Sequence, residues 1–382
     1  MKVAVVGGGV SGLSVAYHLA REGAEVVLLE RGMIGYGAST RAGGGFRVHF
    51  WAEENVRFAV ESRKRLLNLG RELGWNPVIE RGGYLWLLEK EDDVKRFRNA
   101  NNMWRKHGVG GRFLSPEELR DMFPYLRIDD VLEGFLGPQD GKFHHDFIIY
   151  GYYKSALDLG VSIHEGTEVF SIITDEERVI GVETSRGGLD ADAVVVAAAE
   201  ETNSLLEPLG INLPVKPVRR EAAVTEPTQY FIEPLIIDWE TNAYFTQTLR
   251  GEIIGGIDYP VRHGKIGLGT TLGAVSAWAR ALIRRIPTLR DMRVVRTWSG
   301  YYTMSIDSSH IMGRDDEWPE GLYVACGYSG HGFMMAPLVG ELLSRNILYG
   351  EVHELMRPFL PSRFREGRMI PEALVIGGEA GL

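Results

Sequence analysis

MKVAVVGGGVSGLSVAYHLAREGAEVVLLE, residues 1–30, reads as strand, glycine turn, helix, strand and acid, in that order. The apolar run from Val3 to Val6 predicts a buried strand. Gly7-Gly8-Gly9-Val10-Ser11-Gly12 then fits G-x-G-x-x-G. Leu13, Ala16, Tyr17 and Ala20 follow at helical spacing, and Gly23 supplies the stop. Glu25 to Glu30 predicts a second strand that ends in an acid about 20 residues beyond the glycines. In this context Gly7 allows a tight turn, Gly9 lets backbone approach a pyrophosphate, and Gly12 lets helix and strand pack closely. The helix N-terminus offers free N–H groups and a positive dipole end to phosphates. Glu30 can accept hydrogen bonds from a ribose. The alternative is a glycine-rich turn with no ligand. The motif does not separate NAD from FAD.

Working outward, 382 residues allow two domains and a large core. A net charge of -9 argues against nucleic acid as the main partner. No apolar run is long enough to span a bilayer. The first residues lack the pattern of a signal peptide, which predicts a cytoplasmic address. The lone Cys326 agrees, since no disulfide framework is possible within one chain. It lies in the apolar run Leu322-Tyr-Val-Ala-Cys and reads as a buried structural thiol. Metal evidence is weak: His144 and His145 are adjacent in a turn-rich loop, GPQDGKFHHD, with no further ligand set nearby.

A second glycine-rich stretch runs from Gly35 to Arg47, GYGASTRAGGGFR. Ser39 and Thr40 are small hydroxyl donors, and Gly43 to Gly45 remove side chains from a whole turn. Backbone there can approach a flat or phosphorylated ligand. Arg47 ends the stretch among His49, Phe50 and Trp51, where it either clamps a carboxylate or sits in a structural ion pair. Glu53 to Leu73 and Lys90 to His107 predict helices, the second anchored by Trp104. Ser115-Pro-Glu-Glu predicts a helix start. Ala191 to Ala199 predicts a strand buried on both faces. Val215 to Thr225, Leu235 to Asp238, Ala243 to Leu249 and Glu252 to Asp258 predict an antiparallel sheet. Leu322 to Gly327 predicts another buried strand, leading into Tyr328-Ser-Gly-His-Gly-Phe-Met334 and an apolar helix from Ala336 to about Leu348. That repeats the opening design at the other end of the chain. The tail after Pro361, with Arg363, Arg365 and Arg368, reads as a partner-facing strap.

Over nearly its whole length the sequence resembles the FAD-dependent amine oxidoreductases of the D-amino acid oxidase, glycine oxidase and sarcosine oxidase group. The carriers are VAVVGGGVSGLSVAYHLA with Glu30, the GASTRAGGGFR stretch, the Asp140-Gly141 turn, the Gly166-Thr-Glu-Val strand start, VVVAAA and GYSGHGF. Within the group it looks closest to the β subunits of heteromeric sarcosine oxidase and dye-linked L-proline dehydrogenase. The resemblance implies an α/β plus α+β chain. Residues 1–82, 140–214 and 296–382 would form a discontinuous Rossmann-like FAD-binding domain. Residues 83–139 and 215–295 would form an antiparallel-sheet substrate domain.

It also implies non-covalent FAD. Gly7, Gly9, Val10, Ser11 and Gly12 would lie at the pyrophosphate, Glu30 at the ribose and Val169 at the adenine, with Arg31 also in the cofactor-binding set. Ser39 and Thr40 would lie near the pyrophosphate, Gly43, Gly44, Gly45 and Phe46 along the flavin, and Gly330, His331, Gly332, Phe333 and Met334 over its pyrimidine end. Ala198 and Gly300 complete the implied cofactor set. Arg47 matches the arginine that holds the substrate carboxylate in monomeric sarcosine oxidase, and Tyr244, Tyr301, Tyr302 and His331 join it as implied substrate-site residues. Three departures stand out. Met334 and the Glu252-Ile-Ile-Gly-Gly strand lack the relative's lysines, and Gly300 replaces its flavin-linked cysteine. They imply a dehydrogenase that passes electrons to a partner and not to oxygen, while the resemblance to the β subunits implies a secondary amino acid, L-proline favoured, as substrate and an α-type subunit as partner. A sarcosine or glycine oxidase using oxygen, and a non-catalytic FAD-holding scaffold, are the alternatives. A loose match to the heteromeric sarcosine oxidases adds an FMN at a subunit interface near His144 or His145.

Overall fold

The computed structural model describes residues 1–175, 177–260 and 267–375. Its first sheet has six strands, in the order Ile311–Gly313, Leu322–Cys326, Ala193–Val196, Lys2–Val6, Glu25–Leu29 and Ser162–His164. All neighbours are parallel except the Ile311–Gly313 edge. The central strands are continuous apolar runs because both faces are covered. The Ala193–Val196 strand is shorter than its apolar run. Ala199 takes a φ of 47°, and a 3-10 turn at Ala199–Glu201 carries the chain away.

The turn after the first strand needs glycine for two reasons. Gly7 has a φ of 110°, and a Cβ there would stand 2.4 Å from the Ala197 carbonyl oxygen. A Cβ on Gly12 would stand 1.9 Å from the Gly7 carbonyl oxygen. The helix Val10–Arg21 therefore starts pressed against the turn that feeds it. Across it runs the long helix Gly332–Tyr349, which begins at Gly332 rather than Ala336 because the GHGF turn itself supplies the first residues. At the crossing, a Cβ on Gly340 would meet Ser14 Oγ at 2.2 Å, and Ser14 Oγ donates to the Ala336 carbonyl at 2.8 Å.

The second sheet has eight strands: Val294–Ser305, Val215–Pro227, Glu252–Ile257, Ala243–Gln247, Leu235–Asp238, Tyr84–Leu88, Glu133–Gly137 and Arg112–Leu114. It is antiparallel apart from one parallel pair, Leu235–Asp238 with Tyr84–Leu88. The sequence reading groups residues 296–305 with the nucleotide-binding segments. The structure instead places them here, because Val294–Ser305 pairs along its length with Val215–Pro227. The helix Leu272–Arg285 covers one face. Its Trp278 donates to the Tyr244 carbonyl at 3.2 Å, and fully buried Arg285 bonds Asp238 at 2.9 Å and Asp130 at 2.6 Å.

The C-terminal segment corrects another expectation. Arg363 does not face a partner. It is buried on Asp307, with contacts at 2.9 and 3.1 Å. Asp307 also takes the Ile370 N–H, and Ser309 Oγ donates to the Ile370 carbonyl. The tail is thus drawn back across the body of the chain.

Three buried histidines are held neutral. Burial lowers His18 to about 3. Burial and nearby arginines hold His310 and His331 well below the ordinary range. The unfolded chain binds these protons near pH 6.5 while the folded chain does not. Stability therefore rises with pH in that window and is lost as pH falls below about 6.5. With all three contributing, the loss approaches roughly 4 kcal/mol per pH unit well below that point. Urea midpoints at about pH 7.5 and about pH 5.5 check this; an equal or higher midpoint at the lower pH contradicts it.

Candidate active site

One face of the eight-stranded sheet forms the floor of a cavity of about 580 Å³. The strand register explains how. Trp86 pairs with Ile237, Ile237 with Tyr244, Tyr244 with Gly256, Gly256 with Ala222, and Ala222 with Trp298. All six line the cavity. A single row across six strands therefore presents aromatic and aliphatic surface, dipping at Gly256. Tyr84 and Leu235 lie opposite each other two residues along, on the same face. Residues i and i+2 share a face, so Tyr84 and Trp86 arrive together.

The other wall comes from the parallel sheet and its turns. Gly7, Gly9, Val10, Ser11, Glu30, Arg31, Ser39, Val169 and Ala198 line it at one end. Gly8 N–H donates to Glu30 Oε2 and Gly32 N–H to Glu30 Oε1, both at 2.7 Å. The carboxylate is thereby fixed, and each oxygen keeps lone-pair capacity for a sugar hydroxyl. Ser39 Oγ accepts the Val10 N–H at 3.0 Å. The first turn of that helix carries no acidic side chain, so its positive end is left to a ligand. Arg31 spans to Glu201 at 3.0 Å and Glu200 at 3.5 Å.

At the other end, Gly43, Gly44, Gly45, Gly300 and Gly330 to Met334 line the cavity with Arg47, Tyr244, Tyr301 and Tyr302. Several of these glycines sit against aromatic or arginine side chains. A Cβ on Gly45 would stand 1.9 Å from Tyr84 Oη, and one on Gly330, whose φ is 91°, would stand 2.5 Å from the Tyr302 ring. Gly300 packs on the Arg41 stem. The two ends of the chain meet where the Ser11 hydroxyl bonds the Tyr328 hydroxyl.

Arg47 is buried. Its guanidinium donates to the His49 carbonyl and the Leu374 carbonyl, lies 3.2 Å from His331 Nε2, and sits 4.0 Å above the Phe50 ring. Every one of these partners is neutral. Burial pulls the guanidinium below its usual range, opposed by the more distant Glu372, Tyr84, Asp140 and Tyr302. An arginine can only donate, so His331 Nε2 accepts. That imidazole is held neutral and its lone pair is engaged. His49 stands behind the site: its Nδ1 is 2.7 Å from Asp140 Oδ2, its Nε2 is 2.8 Å from the Val109 carbonyl, and Asp140 Oδ1 accepts the Val48 N–H. This clamp fixes the segment just after the Gly45–Phe46 strand, which carries Arg47. Burial raises the phenols of Tyr84, Tyr244 and Tyr302, so they serve as donors and not as bases.

Three residues singled out from sequence do not line the cavity. Thr40 is exposed on the loop surface. Phe46 points into the core, stacked on Phe143 at 6.2 Å. Gly12 acts one layer back, through its contact with Gly7. The sequence reading missed Tyr84, Trp86, Trp239, Leu374 and the arginines Arg41 and Arg220, all of which line it. Period-two spacing was available for Tyr84 and Trp86, but all five residues of Tyr84–Leu88 are buried, which hides the cavity-facing side. Among the described residues the cations lining the cavity are Arg31, Arg41, Arg47 and Arg220. Arg220 is paired with Asp258 at 2.6 Å. His144 is exposed and His145 half-buried; their rings are 5.5 Å apart, and His145 lies edge-on to Phe333 at 6.3 Å. Among the described residues no group of three or more His, Cys, Asp or Glu side chains is placed to hold a metal, and no helix is long and apolar enough to cross a membrane.

A family model described as FAD dependent oxidoreductase (DAO) matches residues 2–346. The sarcosine oxidase β subunit of Rhizobium meliloti is 30% identical, over 97% of this chain and 90% of its own. That of Rhodobacter capsulatus is 28% identical, over 98% and 91%. Among solved structures, L-proline dehydrogenase from P. horikoshii superposes with a TM-score of 0.91 at 33% identity, covering 96% of this chain and 98% of that one. Glycine oxidase from Geobacillus kaustophilus gives 0.87 at 25% identity, covering 94% and 98%. The cavity fits FAD. A glycine cradle that a Cβ would fill lies beside a helix N-terminus for the diphosphate, and a fixed carboxylate at Glu30 suits the ribose. The glycine-lined turns at the far end leave room for a flat ring system. The chain belongs to the DAO family of FAD-dependent oxidoreductases.

Proposed function

We propose that this chain oxidises a secondary amino acid, L-proline favoured, to the imine, as the catalytic subunit of a hetero-oligomer that passes electrons onward. The observation that carries this is Arg47: a buried guanidinium on the cavity wall that meets the neutral His49 and Leu374 carbonyls, the neutral His331 ring and the Phe50 face. A buried cation is stabilised by an anion, and an amino-acid carboxylate suits the planar donor fork. FAD, when bound, supplies the two-electron acceptor for the hydrogen lost from the α-carbon. Arg47 holds the carboxylate and so fixes the α-carbon's orientation. Tyr84, Tyr244 and Tyr302 keep their protons and offer hydroxyl donors. Trp86, Ile237 and Trp298 exclude water around a small apolar ring. No dedicated general base is required when the amine binds neutral. The resemblance to L-proline dehydrogenase across 96% of the chain supports the dehydrogenase reading. The sarcosine oxidase β relatives keep sarcosine as the second reading.

The partner-facing surface is proposed at His144. Its ring stacks on Phe147 at 4.3 Å, and Trp75 packs on Tyr150 at 4.6 Å. Phe147, Trp75 and Tyr150 are all exposed. An FMN shared with an α-type subunit would lie against these rings. Flavin analysis of the co-purified complex checks this, and FAD as the sole flavin removes it.

The substrate test is an anaerobic panel of L-proline, sarcosine and glycine, read at the flavin's visible band. L-Proline is expected to bleach the band fastest, with an artificial dye reoxidising it faster than oxygen does. Faster bleaching by sarcosine or glycine, with rapid reoxidation by oxygen, favours the oxidase reading. No bleaching by any amino acid returns the chain to a scaffold role.

A further inference from the structure

The C-terminal segment reaches the substrate end of the cavity. Leu374 and Val375 line it, and the Leu374 carbonyl accepts from Arg47. The segment hangs from one residue. Glu372 is buried, and its carboxylate takes the N–H groups of Trp51 and Ala52, each at 3.1 Å, the Asn55 side-chain amide at 3.3 Å and the Leu374 N–H at 2.8 Å. Its own N–H donates to the Asp307 carbonyl. Glu372 is therefore a fixed pivot, and two residues beyond it the chain rests a neutral carbonyl on the cavity's buried cation.

We propose that the Leu374 carbonyl is a substrate-displaceable gate: it satisfies Arg47 until an entering amino-acid carboxylate replaces it, as residues 373–375 swing aside about the fixed Glu372. The proposal rests on the reading of Arg47 as the carboxylate site. A carboxylate wins the exchange because it is charged and offers two oxygens, whereas the carbonyl is neutral and offers one. The gate makes the carboxylate a condition of entry and not only a source of affinity. An amine of the same shape brings no acceptor, and an amide brings only a neutral carbonyl oxygen no stronger than the one it must displace. The closed gate also lowers apparent affinity, because the observed dissociation constant is the intrinsic one divided by the open fraction.

The experiment uses the FAD-loaded chain and tetrahydro-2-furoate, a ring carboxylate with no amine to oxidise, with binding read as a perturbation of the flavin spectrum. Leu374→Gly removes the buried side chain that anchors this segment and frees the backbone. It should tighten furoate binding by roughly three- to thirtyfold. Unchanged or weaker binding overturns the gate. Hydrogen exchange on the wild-type chain gives a second readout if that variant does not retain FAD. Saturating furoate should speed exchange of the Leu374 amide, and equal or slower exchange overturns the proposal. Arg47→Met separates the two levels. If it binds furoate like the wild type, the carboxylate site itself is misplaced. If it loses binding while both gate readouts stay flat, only the gate fails.

Discussion

Arg47→Met is expected to lower kcat/KM for the amino acid by roughly two to four orders of magnitude, with FAD still bound. Methionine keeps most of the stem volume over Phe50 and removes the charge. Breaking one side of a buried charged contact costs about 3–5 kcal/mol, and each factor of ten is about 1.4 kcal/mol. The loss belongs to substrate recognition because the residues around the diphosphate and ribose, Gly7 to Ser11 and Glu30, form the opposite end of the cavity. It should also exceed that of Arg47→Lys, which keeps a charge but not the planar fork. Steady-state kinetics together with the flavin-to-protein absorbance ratio measures both quantities. A variant with wild-type kcat/KM removes Arg47 from the site.

The second large effect is expected at Gly12. A Cβ there would lie 1.9 Å from the Gly7 carbonyl oxygen, and 3.1 Å from its carbon. The obstacle is backbone. Gly7 cannot retreat, because its own surroundings are closed by the Ala197 carbonyl. Gly12→Ala must shift the helix away from the turn. Overpacking of this kind costs about 1–3 kcal/mol in stability, and it displaces the N-terminal amides that face the diphosphate. FAD affinity should fall at least a hundredfold, on the order of 2.7 kcal/mol. Gly269→Ala is the control, since nothing lies within 4 Å of a Cβ there. It should leave FAD affinity and thermal midpoint unchanged. Fluorescence titration of the apo-protein with FAD reads the comparison. Equal affinities for the two variants would show that the close contact is not what shapes the cradle.

These two residues also mark what sequence can and cannot disclose. Gly12 was legible because its constraint is local: strand, turn and helix lie within a few residues and meet the same steric limits in any chain that binds a diphosphate this way. Arg47 was legible as a cation among apolar neighbours; that it lines a cavity and meets neutral backbone carbonyls was not. The row from Trp86 to Trp298 was not legible. It exists only through the register of six strands drawn from distant parts of the chain, and no window of sequence contains it. The glycines of GASTRAGGGF pointed correctly to close approach, but Gly43 and Gly45 approach the protein's own tyrosines. Leu374 was invisible for a different reason. Its contribution is a backbone carbonyl, which every residue carries. The tail's arginines suggested an outward role because charge usually seeks water, and Arg363 reverses this by meeting Asp307 in the interior.

The central claim is that one cavity brings FAD and an amino-acid carboxylate together, with Arg47 reading the carboxylate. The most direct measurement compares L-proline with L-prolinamide against the FAD-loaded chain under anaerobic conditions, following the visible flavin band. The account predicts that L-proline bleaches the band while prolinamide, which has the same ring and amine but no carboxylate, leaves it at least a hundredfold slower to fade, in line with about 3 kcal/mol of lost charged contact. Equal rates of bleaching by the two compounds would contradict it.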